Sequence, residues 1–297
     1  SKESPTIDGV SLDAGTHKFT ITATDKAGNR VTTKPFEVHI DKSPVKIAFD
    51  EEIKDGAYYN KNIELIKIEE DNLKDGSEIN LTYTIPKHKD EYGNVVEEQV
   101  VEVNLLENKT PHNGVYEIKR EFGTEVDGKN IKSIEYKIEF KLDDKSGNGI
   151  QCKGVNEKNE INFTIDKGIP EIVIEAINKD SKESLDPGAH INADEVNLAI
   201  NVKDDNLSAK DKIAKNTNKS LTEEGKYTVN VKIIDKAGNE NSESFEFTID
   251  RKAPAIEIGK IKEYIQEAED LNVTVKEKNF EHDDYNVEVT YVKEAQG

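Results

Sequence analysis

Apolar residues recur at every second position over many short runs. The clearest runs are His17-Phe19-Ile21-Ala23, Tyr136-Ile138-Phe140-Leu142 and Tyr227-Val229-Val231-Ile233, with mostly polar residues between. Period two over eight residues predicts a half-buried strand. A five-residue turn follows each run: Asp25-Lys26-Ala27-Gly28-Asn29, Asp144-Lys145-Ser146-Gly147-Asn148 and Asp235-Lys236-Ala237-Gly238-Asn239. Asp can accept backbone N–H groups at a turn start, and Gly supplies positive φ, so each copy predicts a hairpin closure. A second alternating strand then ends at Asp: Phe36-Val38-Ile40-Asp41, Ile161-Phe163-Ile165-Asp166 and Phe245-Phe247-Ile249-Asp250.

The pattern continues in register. Short basic links carry proline: Lys42-Ser43-Pro44, Lys167-Gly168-Ile169-Pro170 and Arg251-Lys252-Ala253-Pro254. New apolar runs follow at Val45-Ile47-Phe49, Ile172-Ile174 and Ile256-Ile258. The first is offset by one residue, which predicts a bulge or register shift. Next come Ile66-Lys67-Ile68-Glu69-Glu70-Asp71-Asn72-Leu73, Ile200 to Leu207 and Val273 to Phe280, each ending in Asn plus an apolar residue. Ile79-Leu81-Tyr83 and Val287-Val289-Tyr291 give a third strand.

Self-similarity at this scale predicts tandem modules. Residues 43–167 and 168–251 read as complete repeats, 1–42 as the back half of one and 252–297 as the front half of another. On this reading the chain is an internal piece of a longer protein, and each half repeat leaves a sheet face or edge exposed. The longer second copy contains an insert, 86–134, whose runs Val100–Leu105 and Val115–Ile118 predict extra strands rather than a separate domain. The best helical candidate, Ser208 to Asn216, is short and lacks a wide apolar stripe.

Composition narrows the picture. Only 34% of residues are hydrophobic and Trp is absent, so several small cores fit better than one large one. The net charge of −20 argues against nucleic acid or an anionic membrane as partner. No apolar run could span a membrane, and Cys152, the lone cysteine, precludes an intrachain disulfide.

Many short strands with regular turns, and a Tyr opening the penultimate strand at Tyr136 and Tyr227, describe an immunoglobulin-like sandwich with a tyrosine corner. His17 stands at that position in the first copy. Gly225-Lys226-Tyr227-Thr228-Val229 leading into Asp235–Asn239, then Phe247-Thr248-Ile249-Asp250 and Pro254, resembles the bacterial Ig-like repeats of Gram-positive cell-surface and secreted proteins. The resemblance implies an all-β chain of tandem immunoglobulin-like sandwiches forming an elongated rod, extracellular, at the cell surface or secreted. It implies a non-catalytic stalk or spacer partnered by neighbouring repeats. Adhesin modules that bind host protein or glycan, and accessory spacers of secreted carbohydrate-active enzymes, are the alternatives, with the 86–134 insert, Tyr92 and Tyr116 as the preferred contact region.

Chemistry is sparse. His17, His39, His88, His112, His190 and His282 form no metal-binding spacing, and no nucleophile motif is present. The pairs Glu70-Asp71, Asp143-Asp144, Asp204-Asp205 and Asp283-Asp284 read as solvated turns, and their recurrence at equivalent positions favours a structural role. The junction residues Asp41, Asp166 and Asp250 raise calcium coordination, should the Asn72, Asn206 and Asn279 turns approach them. A Lys or Arg at each junction and the lack of an Asp-x-Asp-x-Asp-Gly loop weigh against it. No catalytic, cofactor or metal residue is therefore assigned, and no cofactor is expected. A Lys–Asn or Lys–Asp isopeptide crosslink is a further reading that residue counts alone leave open.

Overall fold

A computed structural model describes residues 6–7, 10–89, 92–126, 128–208, 217–260, 262–264, 266–267, 270–278, 288 and 290. Val287, Val289, Tyr291, Asn279, His282, Asp283 and Asp284 lie outside this set, as does the 209–216 part of the helical candidate. Strands make up the regular structure, and there is no helix among the described residues. The chain divides into two compact units: 1–170 with 204–208 and 234–240, and 171–203 with 209–233 and 241–297.

In the first unit, nine strands build a two-sheet sandwich: β1 (Val45–Phe49), β2 (Ala57–Tyr59), β3 (Ile63–Glu69), β4 (Glu78–Ile85), β5 (Gln99–Asn104), β6 (Val115–Phe122), β7 (Ser133–Lys141), β8 (Ile150–Gln151) and β9 (Glu160–Asp166). One sheet has the order β5-β4-β7-β9-β2 and the other β6-β3-β1-β8. Alternation sorts the side chains. Ile134, Tyr136, Ile138 and Phe140 of β7 face inward with Ile161, Phe163 and Ile165 of β9, and pack on Ile63, Leu65 and Phe122 from the opposite sheet. The offset first strand shifts register between Ala48 and Phe49 against β3. The insert supplies one edge strand to each sheet, β5 beside β4 and β6 beside β3.

The second unit carries β10 (Glu171–Asn178), β11 (Ala189–Ile191), β12 (Val196–Lys203), β13 (Thr217–Leu221), β14 (Gly225–Ile234) and β15 (Glu240–Ile249). Its sheets, β10-β12-β13 and β11-β15-β14, share a smaller core around Val196, Phe245, Phe247 and Ile249. In both sandwiches a short strand runs parallel to the Asp-terminated one, β2 along β9 and β11 along β15.

Two expectations need correction. The Asp144–Asn148 turn is not a hairpin closure. The eleven residues between Asn148 and Glu160 let the chain cross to the opposite sheet, where β8 pairs in parallel with Val45 and Lys46. Only the Asp25 and Asp235 copies join neighbouring strands of one sheet. The expected first-copy strand is also broken, into Gly15–Phe19 and Thr22–Thr24. At the break Ile21 donates its N–H to Thr33 Oγ1 at 3.0 Å. In the two end segments Ile21 is 59%, Val31 68% and Ile256 63% exposed.

The tyrosine corner is formed. Tyr136 donates its hydroxyl to the Gly123 carbonyl at 2.6 Å, and Tyr227 to the Glu223 carbonyl at 2.7 Å. His17 Nε2 reaches the Asp13 carbonyl at 2.9 Å, the same four-residue reach as Tyr227, so the first copy keeps the bond with a different side chain. Burial pushes the Tyr136 phenol up to about 12, against the opposing pull of the Arg120 charge. A phenol raised in the folded state contributes stability that is intact below the free-tyrosine range and lost as pH climbs towards 12. Tyr136→Phe should therefore cost about 1 kcal/mol in urea unfolding at pH 7. It should also make stability fall less steeply between about pH 10 and 12 than in the parent.

Candidate metal centres

The first centre is built at the end of the strand Phe36–Ile40. Asp41 Oδ1 accepts the Ser43 N–H at 2.9 Å, which turns the chain into its proline link. Asn72 Nδ2 donates to Asp41 Oδ2 at 2.7 Å, and Asn148 Nδ2 to the Asp41 carbonyl at 3.0 Å. These two amides draw the Glu70–Asn72 and Asp144–Asn148 turns onto Asp41. Glu70 Oε1 accepts the Asn72 N–H at 2.7 Å, and Asp144 Oδ1 the Asn148 N–H at 3.0 Å. Three carboxylates result, Asp41, Glu70 and Asp144, each with an oxygen within 4.8 Å of the others.

The second centre repeats this arrangement. Asp166 Oδ1 accepts the Gly168 N–H at 2.9 Å. Asn206 Nδ2 donates to Asp166 Oδ2 at 2.5 Å, and Asn239 Nδ2 to the Asp166 carbonyl at 3.0 Å. Asp204 and Asp235 are brought in, and Asp166, Asp204 and Asp235 form the second group within 4.8 Å. All six carboxylates belong to the first compact unit.

Electrostatics at both centres is unbalanced. Among the described residues none of the six carboxylates has an ion pair. Lys42, whose neighbourhood to Asp41 weighs against a metal in the sequence, sends its Nζ to the Leu12 carbonyl at 3.0 Å. Glu70 is held above the usual carboxylate range by burial, with Asp41 and Asp144 adding to it. Asp166 and Asp204 are raised for the same reasons, burial first. Asp144 is fully buried, and its Oδ2 has no hydrogen-bond partner. A buried carboxylate oxygen with neither donor nor cation is costly.

These residues fit a hard divalent cation. Calcium bonds carboxylate oxygens at about 2.3–2.6 Å, so oxygens sharing one ion lie within about 5 Å of each other. That is the spacing of both groups, and Asp144 Oδ2 is the oxygen such an ion would satisfy. The sequence points to Asp41 and Asp166 but misses Glu70, Asp144, Asp204 and Asp235. The signal for them is position: each occupies the same register in two repeats. Asp250 makes the same turn, accepting the Lys252 N–H at 3.0 Å, but joins neither group. Its counterpart Asn279 lies outside the described residues. Cys152 is a packing residue against the first core, its thiol pushed up to about 11 by burial. Tyr116 packs on that core too, whereas Tyr92 is exposed.

Paired sheets, corner tyrosines and parallel edge strands define immunoglobulin-like β-sandwich repeats. Residues 178–251 match the family model of the bacterial Ig-like domain. No curated protein matches the chain. Among solved structures it is similar to a tetra-tandem repeat in the extending region of a large adhesion protein, at 14% identity over 84% of this chain and 60% of that one, with a TM-score of 0.30. Dimeric latent PorU from Porphyromonas gingivalis is matched at 14% identity over 72% of this chain and 25% of that one, with a TM-score of 0.20. Chicken CNTN1 FN1–FN3 domains are matched at 14% identity over 79% and 76%, with a TM-score of 0.19. The chain thus spans less than two thirds of the first two structures it matches.

Proposed function

We propose that this region is a non-catalytic stalk or spacer of a bacterial extracellular or cell-surface protein, with calcium bound at two of its repeat junctions. The observation that carries the metal reading is the unpartnered, fully buried Asp144 Oδ2 inside a carboxylate group that recurs at Asp166. The repeats are 43–167 and 168–251, and the penultimate residue of each is the aspartate that precedes the next link, Asp166 and Asp250. An ion at Asp41, Glu70 and Asp144 would tie the Lys42–Pro44 link to two turns that follow it. An ion at Asp166, Asp204 and Asp235 would do the same for Lys167–Pro170. Bound calcium would thereby resist local opening at each link, a property a spacer needs. The match of residues 178–251 to the bacterial Ig-like domain fits this setting.

Limited trypsin digestion tests this. Lys42 and Lys167 are exposed in the links, each followed by a residue other than proline. In chelator both links should be cut early, and in calcium cleavage should slow about tenfold or more as local opening is suppressed. Equal cleavage rates with and without calcium would remove the metal from the reading.

A further inference from the structure

A second polar site lies between the two sheets of the first sandwich. The cavity there is about 350 Å³ and is lined by Tyr83 and Tyr136 from one sheet, Arg120 from the other, Asn62 just before β3, the buried Thr124 and the exposed Lys167. Strand alternation places Arg120 inward between Ile118 and Phe122, facing the opposite sheet. A register shift between Glu117 and Arg120 accompanies this, with Lys119 at φ 52°. Bulges of this kind re-aim a side chain near functional sites. The Arg120 guanidinium sits over the Tyr83 ring at 5.9 Å.

Three of the four unpartnered buried polar atoms among the described residues belong to this cavity: Asn62 Oδ1, Arg120 Nε and Thr124 Oγ1. Neither Arg120 nor Lys167 has an acidic partner among the described residues, although the chain carries 61 acidic residues against 41 basic ones. Asn62 Nδ2 is spent on Glu121 Oε1, which leaves its oxygen facing the site. Gly123 makes room for that amide, because a Cβ there would lie 2.9 Å from Asn62 Oδ1.

We infer that this cavity binds the terminal acidic sugar of a glycan, of the hexuronate class. Arg120 and Lys167 would hold the carboxylate, since charge-assisted bonds to a guanidinium are the strong ones. Glu121 and Glu125 also line the cavity and disfavour a phosphate or sulfate dianion. They require donors elsewhere on the ligand, which sugar hydroxyls supply. The volume is near the low end of the range for ligand clefts, about 300–1,000 Å³, so it takes one sugar ring. Much of the lining, from Arg120 to Asn130, comes from the insert that distinguishes this repeat from the next. The inference does not depend on the metal centres.

Amide NMR titration of the full chain tests it with four probes: methyl β-glucuronide, free glucuronate, methyl β-glucoside and acetate. The expected result is saturable binding of methyl β-glucuronide, no weaker than that of the free acid, with shifts centred on Gly123 and Thr124. The glucoside and acetate should bind about tenfold more weakly or worse. Arg120→Gln should abolish the response, and Lys167→Gln, at an exposed site that leaves folding intact, should weaken it several-fold. No saturable response overturns the inference. So does an equal response to acetate or glucoside, a preference for the free acid, or an unchanged affinity in Lys167→Gln.

Discussion

Calcium added to the chelator-treated chain raises its melting temperature, and Asp144→Asn removes part of that rise. At a free concentration of 100 times the dissociation constant, each occupied site adds about 2.7 kcal/mol. For a unit of this size that corresponds to roughly 2–4 °C per kcal/mol, so each site should move the transition by about 5–10 °C. Asp144→Asn keeps the Oδ1 that accepts the Asn148 N–H and replaces the unpartnered Oδ2 with an amide. The variant should therefore be at least as stable as the parent in chelator, because three carboxylates no longer face one another. In calcium it should be the less stable of the two. That crossing separates a ligand from a merely structural residue, since loss of a structural contact would lower stability in both conditions. Asp204→Asn, which keeps the Oδ1 that accepts the Asn206 N–H, should behave in the same way at the second centre, and the double variant should show no calcium response. Scanning calorimetry across a calcium series checks all three. A parent that melts at one temperature throughout sinks the metal assignment, as does an Asp144→Asn variant with the full parental response.

Most of the fold was legible because it is written in period two. The run Tyr136-Ile138-Phe140 had only one way to face a core, and β7 takes it. The corner tyrosines were legible for the same reason, being fixed by register to the strand they open. The failures came from position in space rather than from local pattern. Asp144 sits in a turn that matches two hairpin turns almost letter for letter, yet its chain crosses to the other sheet. The eleven residues that follow decide this, not the five in the turn. The carboxylate groups were hidden because Asp41, Glu70 and Asp144 are far apart in sequence and each alone reads as a solvated acid. What unites them is the amides of Asn72 and Asn148, and a side-chain amide in a turn carries no mark of where it points. Arg120 was invisible for a different reason: alternation predicts an apolar residue between Ile118 and Phe122, and the cation breaks the rule at the place where the cavity opens. Local violations of an otherwise consistent pattern are where function is expected.

Phe163→Ala should be the most destabilising single change in the first sandwich. Phe163 is 1% exposed, at the middle of β9. Its ring stacks on Tyr136 at 5.6 Å and 25°, and meets Phe122 edge-on at 5.3 Å and 86° and Tyr59 at 6.3 Å and 78°. It thus joins β2, β6 and β7 across both sheets. Truncating such a ring costs about 3–5 kcal/mol through lost transfer energy and the cavity left behind. Against a total of about 5–15 kcal/mol, that brings the first sandwich close to its unfolding limit. Phe247 is the counterpart in the second unit, where its ring stacks on Tyr227 at 5.1 Å. Its core is smaller, so Phe247→Ala should unfold that unit at a lower denaturant concentration still, while leaving the calcium response of the Asp41 centre intact. The Phe163 variant connects the core to the metal centres. Asp166 ends the same strand, three residues on, so an ion there resists the same unfolding. Saturating calcium should restore about 2.7 kcal/mol per site to Phe163→Ala, as in the parent. Urea unfolding with and without calcium measures both quantities. A loss below about 1 kcal/mol for Phe163→Ala would contradict the packing described for this core.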